Sequence, residues 1–209
     1  MENFKKILTI ILSISLLFLV SCGNDDKTGS GGGSGKGDAL LNSVPKVTGE
    51  PTQDFSTATT YNATLNIVDT KEDTDFTDDF LSYTGKTREQ LIEEAKAKQK
   101  NIILTITKNA AGNNIVKFSE QSTATEGSGF PKEYPLFENA ELKKDSSGKY
   151  NAGVENPTEN GTQIYYIEFD KTTSKIKFVN AISQNVDWGD IGSKYTYEGP
   201  LTEKPSGNN

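Results

Sequence analysis

The chain has 209 residues, 22 of them Lys or Arg against 29 Asp or Glu, for a net charge of −7. That acidic balance gives no general attraction to phosphate backbones or anionic head groups, so it argues against nucleic acid as a partner. Histidine is absent and Cys22 is the single cysteine, which excludes Ser-His-Asp and Cys-His catalysis, imidazole zinc sites and intramolecular disulfides.

Lys5 and Lys6 precede an apolar run from Ile7 to Val20 that is broken only by Thr9, Ser13 and Ser15. A helix needs about 20 apolar residues to span a bilayer, so this shorter run reads as the core of an export signal. It ends in Leu19-Val20-Ser21-Cys22, which resembles the lipobox of bacterial lipoproteins. The resemblance is confined to residues 1–22. It implies a signal peptide over 1–21, diacylglycerol on the Cys22 sulfur and an acyl chain on the new amine. Two or more chains anchor stably where one does not. Gly23, Asn24, Asp25 and Asp26 resemble the acidic export signal of surface lipoproteins in Bacteroidota, although they also suit the start of a hydrophilic linker. The address implied is the bacterial cell envelope, lipid-anchored at the outer membrane and either periplasmic or surface-facing, with the membrane as a partner through Cys22.

Residues 22–54 read as the anchor and a flexible tether. Residues 28–37 are nearly all Gly and Ser, and the stretch to Asp54 is rich in Gly, Pro and polar residues. A β-rich globular domain is expected over 55–200 and a polar tail over 201–209.

Within that domain TTYNATLNIV, residues 59–68, alternates strictly, placing Tyr61, Ala63, Leu65 and Ile67 on one face of a half-buried strand. Antiparallel sheets carry that pattern. An acidic connection follows over residues 69–80. Asp73, Asp75, Asp78 and Asp79 make it a calcium candidate. Thr77, Asp78 and Thr84 stand where an EF-hand would need Asp or Asn, Gly and Glu, so a solvated loop is the simpler reading. One helix is expected over Thr87–Lys100, started by a Thr87–Gln90 capping box with Glu89 in its first turn.

Hairpin signals then repeat. NIILTIT and NIVKFS flank a loop containing Gly112-Asn113, and TQIYYIEF and KIKFVNAI enclose DKTTS. Leu136–Leu142, Lys149–Val154 and Lys194–Glu198 are weaker strand candidates. Gly127–Pro135 reads as a loop before them, with Pro131 and Pro135 breaking any ladder. Strands at this spacing suggest a mainly β fold, an antiparallel meander closed into a sandwich or small barrel with one packed helix. The alternative is an α+β fold with one helix across a four-stranded antiparallel sheet.

Two places invite a functional reading. Trp188, the only tryptophan, lies between Asp187 and Asp190 in NVDWGDIGS. An indole flanked by carboxylates suits a sugar ring, whereas Asp and Gly are also ordinary turn residues and tryptophan is usually buried. Among the C-terminal aromatics, Tyr165, Ile167 and Phe169 share a face against Ile176 and Phe178, which reads as core. Tyr166 falls on the opposite face as the candidate exposed ring. The expectation is a non-catalytic binding module for a protein or glycan, with no cofactor. A lipocalin-like carrier of a small apolar ligand is the alternative, and a glycan-active enzyme working through carboxylates stands behind it.

Overall fold

A computed structural model describes residues 37–96, 99–121, 132–187 and 189–205. The strands are β1 (Glu50–Pro51), β2 (Thr59–Glu72), β3 (Asp75–Phe76), β4 (Lys100–Lys108), β5 (Asn114–Gln121), β6 (Glu133–Glu141), β7 (Lys143–Lys144), β8 (Tyr150–Thr158), β9 (Gly161–Asp170), β10 (Lys175–Val186) and β11 (Gly189–Glu203). The helices are α1 (Asp38–Asn42), α2 (Asp78–Thr84) and α3 (Arg88–Lys96). The sheet runs β1-β7-β8-β9-β10-β11-β2-β4-β5-β6, with β3 added on β11, and every ladder is antiparallel. The mainly β expectation holds, in the form of a nearly closed barrel.

Closure comes from one strand that changes partners. β6 lies along β5, with Phe118 opposite Phe137 and Val116 opposite Ala140. One residue later β7 pairs with β8, with Lys143 opposite Asn151 and Lys144 opposite Tyr150. Leu142 sits at the switch with no exposed surface. Its N–H donates to the Asn114 carbonyl at 2.9 Å, and its own carbonyl accepts from Thr52 at 3.0 Å. The Asn114 N–H returns to the Thr52 carbonyl at 2.8 Å, completing a ring of backbone bonds among three segments.

The interior is filled by the protein's own rings. Phe55 and Tyr150 meet edge to face at 5.3 Å, Tyr150 stacks on Phe169 at 5.1 Å, and Phe118 lies 5.0 Å from Phe178, which stacks on Tyr197 at 5.5 Å. The expected shared face is present: Phe169 faces Ile176 and Ile167 faces Phe178 across the ladder, and all four are buried. Phe55 corks the end opposite the helices. The buried Asn114 amide holds it, accepting the Phe55 N–H at 3.1 Å and donating to the Phe55 carbonyl at 2.9 Å.

Several boundaries differ from the sequence reading. Residues 38–54, assigned by composition to the tether, lie against the barrel. Leu41, Val44 and Val47, three apart, form a short apolar stripe that covers Tyr166, Val179 and Ala181 on the outer wall. Thr48 and Asn151 exchange a pair of hydrogen bonds at 2.9 and 3.0 Å, and Lys194 Nζ reaches the Ser43 hydroxyl at 2.8 Å. At the other end β11 runs to Glu203 with Leu201 buried, well beyond Pro200. Pro135 is tolerated inside β6, where it pairs with Ser119 at a register shift.

The helix expected over Thr87–Lys100 is α3. The Thr87–Gln90 capping box forms as read, at 3.3 and 2.9 Å, while Lys100 already belongs to β4. The acidic connection holds a second helix, α2. The Thr77 hydroxyl caps it by accepting the Phe80 N–H at 3.3 Å, and Gly85 ends it at φ +65°.

Phe55→Ala should cost about 3–5 kcal/mol, as buried aromatic truncations do. Asn114→Ala should cost about 1–3 kcal/mol by leaving the Phe55 backbone unpaired. Urea unfolding followed by circular dichroism measures both. Wild-type midpoints in the two variants would refute the cork.

Candidate functional site

β2 carries a bulge. Tyr197 faces Ile67 and Thr196 faces Asp69, so Val68 is the extra residue and stands 55% exposed. A bulge rotates the following side chains relative to the partner strand. Thr70 comes to face Tyr195, and Glu72 to face Ser193, on the inner side. The same end holds Lys100 and Glu120, paired at 2.6 Å with the lysine side chain only 12% exposed, and the buried Gln163–Asn180 pair at 3.1 Å. The lower interior is therefore apolar and the end under the helices is polar.

Just outside that polar end, β3 folds back onto β11, with Phe76 opposite Gly189 and Asp75 opposite Asp190. The approach depends on glycine. A Cβ on Gly189 would stand 2.1 Å from the Asp75 carbonyl oxygen, and its φ of +147° disfavours any other residue. The Asp73 N–H donates to the Gly192 carbonyl at 2.6 Å, and the buried Thr74 hydroxyl donates to the same oxygen at 3.1 Å. Arg88 Nε donates to the Thr74 carbonyl at 2.6 Å, tying α3 to this corner. The result is a cleft of about 410 Å3 lined by Asp75, Phe76, Thr77, Asp78, Asn185, Val186, Gly189 and Asp190.

Two stretches suspected separately thus meet. Asp75 and Asp78 come from the acidic connection and Asp190 from the β10–β11 turn. Asn185 donates to Asp190 across that turn. Asp187 is exposed beside the cleft without lining it. Asp73 and Asp79 are exposed and take no part in the lining. The four calcium candidates are therefore divided, and among the described residues no three His, Cys, Asp or Glu side chains are grouped to hold a metal ion. Trp188 and Cys22 lie outside the described residues.

Tyr166 is a correction. It is only 4% exposed, because the Val44–Val47 stripe covers the outer face where the alternation pattern leaves an open ring. Its hydroxyl donates to Glu168 at 3.3 Å. The sequence pattern does not single out Phe76, Thr77 or Asn185. The signal available for Phe76 and Thr77 was the Thr77 cap followed by two acidic first-turn residues and Gly85.

The cleft presents carboxylate and amide oxygens beside a half-buried phenyl ring, a set that accepts hydrogen bonds from hydroxyls and packs an apolar face. No family model, curated protein or solved structure matches this chain.

Burial pushes the phenols of Tyr165, Tyr195 and Tyr197 well up, reinforced by Glu120 for the first, by Glu72 for the second and by both for the third. Burial, with the Glu203 carboxylate next, pushes Tyr61 to about 12. A raised folded-state pKa means the fold holds these protons more tightly than the unfolded chain, whose phenols titrate near 10. Their contribution to stability is complete below that pH and is lost as pH rises through it toward the folded values. In an alkaline titration the phenolate absorbance of these four rings should rise only as the near-ultraviolet dichroism collapses. Ionisation of every tyrosine with a midpoint near pH 10 and an intact fold would contradict this.

Proposed function

We propose that this protein is a lipid-anchored envelope protein whose barrel is a non-catalytic binding module, with a glycan as ligand at the helical-end cleft. The filled interior carries the reading. A carrier of an apolar ligand needs an empty apolar chamber, usually of several hundred Å3. Here two aromatic groups, Phe55–Tyr150–Phe169 and Phe118–Phe178–Tyr197, stand in the interior at ring separations of 5.0 to 5.5 Å, which supports a packed core over a carrier's chamber. Binding is then left to the outside of the barrel.

Three features support the cleft as the place. Its volume of about 410 Å3 suits one or two sugar rings. Asp75, Asp78, Asp190 and Asn185 offer oxygens to the hydroxyls of such rings, and Phe76 offers an apolar edge. The overall charge of −7 suits a neutral or hydroxyl-rich ligand better than a polyanion. The lipobox resemblance supports the anchor.

The mature chain should bind a subset of a neutral glycan array, and Asp190→Ala with Asp75→Ala should weaken the best hit at least tenfold with the fold intact. Undiminished binding by the double variant would move the site elsewhere, and an array without any hit would end the glycan reading. Separately, Cys22→Ala should abolish incorporation of labelled palmitate and release the protein from the membrane fraction. Retention of the label in that variant would end the anchor reading.

A further inference from the structure

Residues 37–48 cross the outer wall of the barrel as a strap whose head lies at the corner of the cleft. Thr48 exchanges hydrogen bonds with Asn151 on β8, and Val44 packs on Tyr166 of β9 and on Val179 and Ala181 of β10. Ser43 then receives Lys194 of β11 at 2.8 Å, and Asp38 accepts from the Ser183 hydroxyl at 3.3 Å. The head makes the closest approach. A Cβ on Gly192 would stand 2.9 Å from the Gly37 Cα and 3.1 Å from the Asp73 carbonyl oxygen, so the strap, β11 and the Asp73 backbone meet at one residue. Gly37 itself holds φ at +95°, and a Cβ there would fall 2.8 Å from the Gly192 Cα.

The ladder relates this contact to the cleft. Ser183 faces Gly192 and, two rungs on, Asn185 faces Asp190, while residues two apart on a strand share a face. The strap head and the Asn185–Asp190 pair of the cleft therefore lie on one face of the β10–β11 ladder, about 7 Å apart along the strands. Gly192 also fixes the opposite wall. Its carbonyl accepts the Asp73 N–H at 2.6 Å and the Thr74 hydroxyl at 3.1 Å, and the chain continues directly into Asp75, Phe76, Thr77 and Asp78, which line the cleft.

We propose that the strap regulates the cleft: docked, its head holds Gly192 and the Asp73–Phe76 wall in place, and released, it lets that wall loosen. The effect on ligand affinity rests on the glycan reading, whereas the link between strap and wall is a property of the fold alone. The strap is built to open separately. It is held by side-chain contacts and not by a ladder, and of the apolar residues Leu41, Val44 and Val47 that it lays on the wall, Val44 alone is buried. A segment held this way opens at lower free energy than the strands beneath it. Linkage is reciprocal, so a ligand in the cleft would favour the docked strap by the same factor by which docking favours the ligand.

Hydrogen exchange on the mature chain, read amide by amide by nuclear magnetic resonance, tests this without any ligand. Val44→Asp sets a charge against Tyr166 and Val179 and releases the middle of the strap. Gly37→Ala displaces its head while every residue of the barrel stays native. In both variants the Leu41 amide, bonded to the Gly37 carbonyl within the strap, and the Asp73 amide should lose protection at least tenfold. The Asn114 and Leu142 amides at the far end of the barrel should keep theirs. Full protection at Asp73 with Leu41 exposed would overturn the regulation, and so would full protection at Leu41 in both variants or an equal loss at Asn114 and Leu142. On the best hit of the glycan array both variants should bind at least fivefold more weakly, and saturating the unmutated chain with that glycan should raise Leu41 protection by the same factor. Loss of Asp73 protection with unchanged glycan affinity would uphold the link between strap and wall and count against the cleft as the glycan's site.

Discussion

The ring of backbone hydrogen bonds among Thr52, Asn114 and Leu142 is the constraint on which the rest of the barrel depends. A meander of antiparallel strands leaves two edges, and edges must be closed, covered or blunted. Here a single strand reaches from one edge to the other, pairing with β5 through β6 and with β8 through β7. The change of partner takes place at one fully buried residue, Leu142, whose polar backbone atoms would be costly if left unpaired. Thr52 and Asn114 supply those partners. Because Thr52 is bound here, Phe55 three residues later is delivered to the open end of the barrel, and the Asn114 side chain receives it there. Closure, cork and strand switch are one arrangement.

The polar character of the opposite end follows from a second local event. Without the extra residue at Val68, strict alternation would continue the inward face of β2 through Asp69 and Lys71. With it, Thr70 and Glu72 turn inward. The bulge thus sets the boundary between an interior that packs rings and one that pairs polar groups. It coincides with the place where β2 leaves its ladder with β4, whose last described pair is Leu65 with Lys100, and continues against β11 alone.

Much of the barrel was legible in the sequence because two-residue periodicity survives where one face is buried and the other wet. Tyr61, Ala63, Leu65, Tyr165, Ile167, Phe169, Ile176 and Phe178 all took the face their spacing assigned. The Thr87–Gln90 box was legible because capping is a contact between residues three apart. What stayed hidden depends on contacts distant in sequence. The stripe of Leu41, Val44 and Val47 is too sparse to stand out in a polar segment, and it acquires meaning only against Tyr166 and Val179 more than a hundred residues later. Tyr166 was read as open for the same reason, since alternation reports which face a ring takes and not what lies over it. The cleft was half legible: each of its two stretches looked unusual alone, and nothing local said that Asp75 would stand opposite Asp190.

The two ends of the barrel therefore carry different burdens. At the Phe55 end, backbone bonds converge, rings meet at 5.1 to 5.3 Å, and the buried Asn114 amide satisfies a loop that would otherwise be loose. At the helical end, the ladders run out one after another and short elements are held by local contacts such as Arg88 to the Thr74 carbonyl and the two-residue β3–β11 pairing. A region held that way opens locally at lower free energy than the core it adjoins. The cleft, the helical pair and the close approach of Gly37 to Gly192 all belong to this second end. Loops at this end can change without disturbing the closure that keeps the barrel folded, since the Thr52–Asn114–Leu142 ring stands at the far end of the strands.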